Sequence, residues 1–127
     1  MWAYYLDSTV PEHPRAAHAV EKALTGEVLV NTVIQIEVAH YLVKRLGSVA
    51  GAKAADLFLS LPLTVDALDS SLLRDSLRVL ARFTDVGVGG RDATLLASME
   101  RHGVTRILTH DATFGRVDRV EVVDPIT

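Results

Sequence analysis

Short apolar segments alternate with helix-periodic segments along the chain, and no other feature constrains the fold as much. Residues 3–7, 28–30, 63–65, 106–109 and 120–123 each read as a short strand. Between them lie segments with helical spacing. Residues 11–24 carry Ala16, Ala17, Val20, Ala23 and Leu24 at that spacing and stop at Gly26. A second helix is expected from Thr32, with Gln35 completing a capping box, to Leu46 before Gly47. Ser48 caps a third over about 49–60, closed by Pro62. Asp69 opens a fourth through Leu72, Leu73, Leu77, Leu80 and Ala81, and a fifth runs from Asp92 to His102 before Gly103. Strands joined through helices pair in parallel, because each helix is a crossover. The expected architecture is α/β, a three-layer α/β/α sandwich with a mostly parallel sheet of four or five strands. Residues 1–127 suffice for one domain with its own core.

Composition narrows the function. Apolar residues make up 49% and charged residues 23%, which is a globular balance and not a disordered one. There is no cysteine, so disulfide frameworks, thiolate zinc sites and cysteine nucleophiles are excluded. The 13 basic and 16 acidic side chains leave a net charge of −3, which argues against a general nucleic-acid or membrane coat. The first residues, Met1 to Asp7, lack the basic region and long apolar core of a signal peptide. No stretch approaches the ~18 apolar residues of a membrane span, so a cytoplasmic location is expected.

In parallel α/β sheets, ligands bind beyond the carboxyl ends of the strands. Asp7 is expected to end the first strand and Asp111 to follow the fourth, while Asp92 opens a helix and Glu37 lies within the helix after the second strand. Val33, Ile34, Ile36 and Ala39 surround Glu37 and place it near a buried face. Several carboxylates together repel and raise one another's pKa. A divalent cation resolves that conflict, and magnesium or manganese prefers such oxygen ligands. An ion of this kind activates a water for attack on a phosphodiester.

At this point the chain resembles the PIN domain family, and in size the VapC toxin ribonucleases of prokaryotic toxin–antitoxin pairs. The resemblance rests on Tyr5-Leu6-Asp7-Ser8, Ile36-Glu37-Val38, Asp92-Ala93 with Leu96-Ala97, and Thr109-His110-Asp111 with Phe114. It implies that Asp7, Glu37, Asp92 and Asp111 are the catalytic, metal-binding acids, with Mg²⁺ or Mn²⁺ as cofactor. Ser8 and Thr109 would hold the neighbouring carboxylates. The family also implies RNA as substrate, a small antitoxin as partner, and a homodimer or higher homo-oligomer. One departure stands out. Only Ser8 to Pro11 separate Asp7 from Glu12-His13-Pro14, where the family has a helical turn or two of apolar sequence. The first helix is therefore expected to be shortened or shifted.

The remaining motifs are weaker. Glu37-x-x-His40 is half of a di-iron element whose second half is missing. Gly87-Val88-Gly89-Gly90 lacks the pattern of a phosphate loop and reads as backbone freedom for aiming Asp92. His110 reads as an exposed loop residue, and His13 and His18 as surface features of the first helix. Arg91, Arg116 and Arg119 flank the expected mouth and are candidates for RNA phosphates. Phe58, Leu59, Leu61, Leu73, Leu77 and Leu80 are mostly core, with any excess available for a dimer. The sequence thus predicts a metal-dependent endoribonuclease. The alternatives are a catalytically silent PIN-fold regulatory partner and a phosphoryl-transfer protein built on a strand-end Asp. Against the latter, Thr9 stands where a haloacid dehalogenase-type phosphatase needs its second Asp.

Overall fold

A computed structural model describes residues 1–127. The helices are α1 (Trp2–Leu6), α2 (His13–Ala23), α3 (Thr32–Leu46), α4 (Ser48–Leu59), α5 (Ser70–Phe83) and α6 (Gly90–Arg101). The strands are β1 (Leu29–Asn31), β2 (Thr64–Asp66), β3 (Arg106–Leu108) and β4 (Glu121–Val123). One 3₁₀ turn follows α5 and another, Ala112–Arg116, follows β3.

Every strand pair is parallel, as the helical crossovers require. β1 pairs with β2, with Leu29 opposite Thr64 and Asn31 opposite Asp66. β3 pairs with β4, with Arg106 opposite Glu121 and Leu108 opposite Val123. The two pairs do not join, so the sheet is split into two halves.

The apolar core is split in the same way. One cluster joins α5, α6 and β3 through Leu72, Val79, Leu96, Met99 and Ile107, with Phe114 of the 3₁₀ turn. The other joins α3, α4 and β1 through Val38, Leu42, Ala55, Phe58 and Val30. Leu29 packs against the first cluster and its neighbour Val30 lies in the second. Successive strand residues face opposite ways, so β1 is covered on both sides and the layers are α/β/α.

The expected first strand is a helix. Tyr5 N donates to Met1 O at 3.1 Å and Asp7 N to Ala3 O at 3.0 Å, the spacing of an α-helix. Trp2 and Leu6, four residues apart, both pack on the second cluster. The Trp2 ring lies 5.0 Å from that of Phe58, centroid to centroid. His13 Nδ1 is hydrogen bonded to Tyr4 O at 2.9 Å and ties α2 to this helix, so His13 is more than a surface feature.

Capping residues set the helix starts. α3 is capped by Asn31, whose Oδ1 accepts from Ile34 N at 2.9 Å, and not by Thr32. Thr32 Oγ1 instead accepts from Leu68 N at 3.0 Å. Asp69 caps α5 as expected, accepting from Leu72 N at 2.8 Å. Ser48 makes no cap hydrogen bond to α4. The reversal between α3 and α4 depends on Gly47, at φ 90°, a conformation that side chains disfavour. Gly51 then lets the two helices touch, because a Cβ there would fall 2.5 Å from Leu42 O and from Val43 Cα. Phe58 is fully buried, and Leu61 and Leu80 are partly so, but Leu59, Leu73 and Leu77 are exposed and do not belong to the core. Leu73 and Leu77 are one turn apart on α5, where the helix faces outward.

Candidate active site

A cleft of about 1320 Å³ separates the two halves of the sheet. Residues 27–30 line one wall, and residues 105–109 line the other. Glu37, Asp92 and Asp111 all border this cleft. They come from both halves of the fold: Glu37 from α3, Asp92 from the first turn of α6, and Asp111 from the segment after β3.

Each acid is held differently. Glu37 is half exposed and not buried, and its Oε2 lies 3.4 Å from Arg91 Nη1. Its neighbour Ile36 is also exposed, so this turn of α3 faces outward more than its apolar sequence suggests. Asp92 is more enclosed, with a side chain 14% exposed, and its Oδ1 lies 3.5 Å from Arg91 Nε. Burial pushes the Asp92 carboxyl above its usual value, Arg91 pulls it back, and the Asp111 charge raises it again. Asp111 caps the 3₁₀ turn, its Oδ1 accepting from Thr113 N at 2.9 Å. Thr109 Oγ1 accepts from Asp111 N at 3.1 Å and so fixes the backbone at that acid.

Asp7 is not brought into this group. It ends a helix and not a strand, and its carboxylate turns into the protein, 1% exposed. Its Oδ1 accepts from the amide and hydroxyl of Thr9. Its Oδ2 accepts from Tyr41 Oη at 3.1 Å and lies 3.3 Å from Arg45 Nε. The Thr9 hydroxyl does most to lower the Asp7 pKa; burial opposes, and the Thr9 amide, Tyr41 and Arg45 assist. Ser8 is exposed, and the supporting bonds expected of it come from Thr9.

Of the three candidate arginines, Arg91 borders the cleft, while Arg116 and Arg119 are exposed outside its lining. His110 is not a free loop residue, because its Nδ1 is hydrogen bonded to Asp124 Oδ2 at 2.9 Å. His40 is exposed.

Asn31, Tyr41 and Arg45 carry the arrangement and were not singled out by local pattern. Asn31 is fully buried. While its oxygen caps α3, its Nδ2 donates to Thr94 Oγ1 at 3.2 Å and Ser98 Oγ at 3.3 Å on α6. One side chain therefore locks the helix of Glu37 to the helix of Asp92. The signal for it was an Asn at the boundary between strand and helix, a preferred capping residue.

Three acids around one cleft, with Asp92 destabilised by burial and by Asp111, have the chemistry of a hard divalent-cation site. Arg91 supplies the only cation that pairs with any of them. Yet no three acidic or histidine side chains converge closely enough to hold an ion by themselves.

The fold is an α/β/α domain with parallel strands and with carboxylates around the cleft that splits its sheet. The chain belongs to the PIN domain family, whose model matches residues 1–120. Two solved structures are similar to it. VapC20 of Mycobacterium tuberculosis, described as a sarcin–ricin-loop-cleaving toxin, has a TM-score of 0.78 and 24% identity, over 95% of this chain and 92% of that one. VapBC2 of Rickettsia felis, bound to a DNA fragment from its promoter, has a TM-score of 0.71 and 12% identity, over 95% of this chain and 90% of that one. At these identities the likeness shows the fold. No curated protein sequence matches the chain.

Proposed function

We propose that the protein is a metal-dependent endoribonuclease and the toxin of a toxin–antitoxin pair. The observation that carries this reading is the set of Glu37, Asp92 and Asp111 around one cleft in a PIN domain. These three would hold Mg²⁺ or Mn²⁺. When bound, such an ion supplies Lewis acidity and a water of lowered pKa for attack on phosphorus. The chain's own groups position the reaction. Thr109 fixes the backbone of Asp111, and Asn31 fixes the spacing of α3 and α6. Arg91, half exposed between Glu37 and Asp92, is placed to exchange those carboxylates for an RNA phosphate once a cation neutralises them. Asp7 has the bonding of a structural anchor for α1, with every oxygen already engaged.

No helix is long and apolar enough to cross a membrane, and a cytoplasmic setting fits an RNA substrate. The exposed Leu57, Leu73 and Leu77 offer apolar surface for an antitoxin or a second copy of the chain.

The test is RNA cleavage by the folded protein with Mn²⁺, with EDTA, and with Asp92→Asn. Products with 5′-phosphate ends that vanish in EDTA and in the variant support the reading. Equal cleavage in all three ends it. A catalytically silent PIN-fold partner is the second reading, favoured by the lack of a three-acid convergence. Mn²⁺ titration separates the two, since a silent partner shows no saturable binding.

A further inference from the structure

His110 is exposed, yet its ring is held. The side chain is 42% exposed, and its Nδ1 is hydrogen bonded to Asp124 Oδ2 at 2.9 Å. Asp124 is fixed in turn, its Oδ1 accepting from Ile126 N at 2.9 Å. Arg15 Nη1 donates to Ile126 O at 2.8 Å and ties this segment to α2. An exposed side chain ordinarily samples several rotamers and loses that freedom when it binds a ligand. Here the bond to Asp124 removes the freedom beforehand.

Tyr4 completes a corner. Its ring centroid lies 6.5 Å from that of His110, and the two planes meet at 61°. An edge-on pair leaves open the ring faces that a stacked pair would cover. Tyr4 is partly buried, and its carbonyl is held by His13 Nδ1 at 2.9 Å. Both aromatic residues border the cleft of Glu37, Asp92 and Asp111.

The corner suits a flat group without charge. Asp111, next to His110 in the chain, and Asp124, bonded to it, are both acids and repel a phosphate. Arg91 pairs with Glu37 and Asp92 and with neither of these. A nucleobase presents a π-face and no net charge, and proteins hold single bases by stacking them on aromatic side chains. Consecutive Cα atoms lie ~3.8 Å apart. A base on His110 therefore belongs to a nucleotide adjoining the phosphate at Asp111.

We propose that Tyr4 and His110 form a stacking corner for the nucleobase beside the scissile phosphate, and that Asp124 is the positioning residue that aims the His110 ring. The proposal rests on the endoribonuclease reading above for the identity of its substrate. The corner adds selection by the base to a site whose acids and Arg91 engage only the phosphate.

The experiment measures binding of single-stranded RNA decamers by fluorescence anisotropy in Ca²⁺, which neutralises the acids through the same kind of oxygen ligand. One decamer is intact, and each of the others lacks the base at one position. At one position the missing base is expected to weaken binding to the parent chain about tenfold. His110→Ala and Tyr4→Leu are expected to weaken binding of the intact decamer by about as much, and to be indifferent to that missing base, as coupled partners are. His110→Phe keeps a flat ring and is expected to keep the dependence on the base, within about threefold of the parent affinity. Asp124→Ala is expected to cost about threefold in the parent chain and nothing in His110→Phe, a difference that a merely structural role for Asp124 would not give. Absence of any position coupled to His110 and Tyr4, or a loss in His110→Phe equal to that in His110→Ala, overturns the corner. Cleavage of the intact decamer in Mn²⁺ is followed separately. Cleavage without coupling sinks the corner and leaves the endoribonuclease reading standing; coupling without cleavage does the reverse. Should Tyr4→Leu unfold the chain, as read by circular dichroism, the cycle with His110→Ala decides alone.

Discussion

Asn31→Ala tests how the two halves of the protein are held at the right spacing. The substitution removes three interactions at once. Loss of the α3 cap costs about 1 kcal/mol. The bonds to Thr94 and Ser98, at 3.2 and 3.3 Å, are long and neutral and contribute about 0.5 kcal/mol each. Ser98 is fully buried, and stripping its hydroxyl of this partner costs about 1 kcal/mol more. The expected loss is about 3 kcal/mol. A domain of 127 residues unfolds with an entropy near 0.27 kcal/mol/K, so the melting temperature falls by about 11 °C. Urea unfolding of Asn31→Ala, Ser98→Ala and the double variant gives the coupling directly. An interaction of about 1 kcal/mol between the two sites is expected. A loss under 1 kcal/mol for Asn31→Ala, with additive effects in the double variant, refutes the cross-link.

Three further outcomes follow from the geometry. Asp7→Asn lowers stability at pH 7 by roughly 2–3 kcal/mol, because a buried carboxylate accepting several bonds is lost. Its folded pKa lies below the unfolded one, so its contribution is complete above about pH 4 and fades as pH falls through the folded value. Melting curves of variant and wild type should therefore converge at low pH, and a constant gap contradicts the assignment. The same variant should keep the Mn²⁺ affinity of the parent chain, measured by calorimetry; a tenfold loss would return Asp7 to the metal site. Gly51→Ala forces apart the backbones of α3 and α4, costing about 1–3 kcal/mol, read as a lower urea midpoint with the slope unchanged.

How much of this was legible beforehand depends on the range of the interactions involved. The parallel α/β/α order followed from local periodicity, because strand and helix segments punctuate the chain with glycine, Pro62 and capping residues. The run at 3–7 was too short for its period to speak. Trp2 and Leu6 fit a helix as well as Tyr5 and Asp7 fit a strand end, and packing on Phe58 decides between them. Glu37, Asp92 and Asp111 were legible because each sits beside its own recognisable element. The environment of Asp7 was not, because Tyr41 and Arg45 lie 34 and 38 residues further on and only the fold brings them near. Four acids in the right order concealed that the first stands on a different element from the one expected. The short interval from Asp7 to Glu12 was the sign of it.

The division of the core explains why the acids straddle it. Glu37 belongs to the half built on α3 and α4, and Asp92 and Asp111 to the half built on α5 and α6. Arg91 pairs with Glu37 and with Asp92 across that division, while burial first and Asp111 second hold the Asp92 carboxyl above its usual pKa. On the proposed metal-site reading, a cation held by Glu37, Asp92 and Asp111 would tie the two halves together, beside the Asn31 bridge. Binding to the folded state alone stabilises it by RT ln(1 + [L]/Kd), about 2.7 kcal/mol at a hundredfold excess over Kd. For this chain length that is a rise of about 10 °C in melting temperature. The rise should shrink in Asp92→Asn and in Glu37→Gln alike, since each removes a ligand from one side of the seam. A full rise in Glu37→Gln, lost only in Asp92→Asn, would place the ion wholly on the α6 half and refute the bridging role.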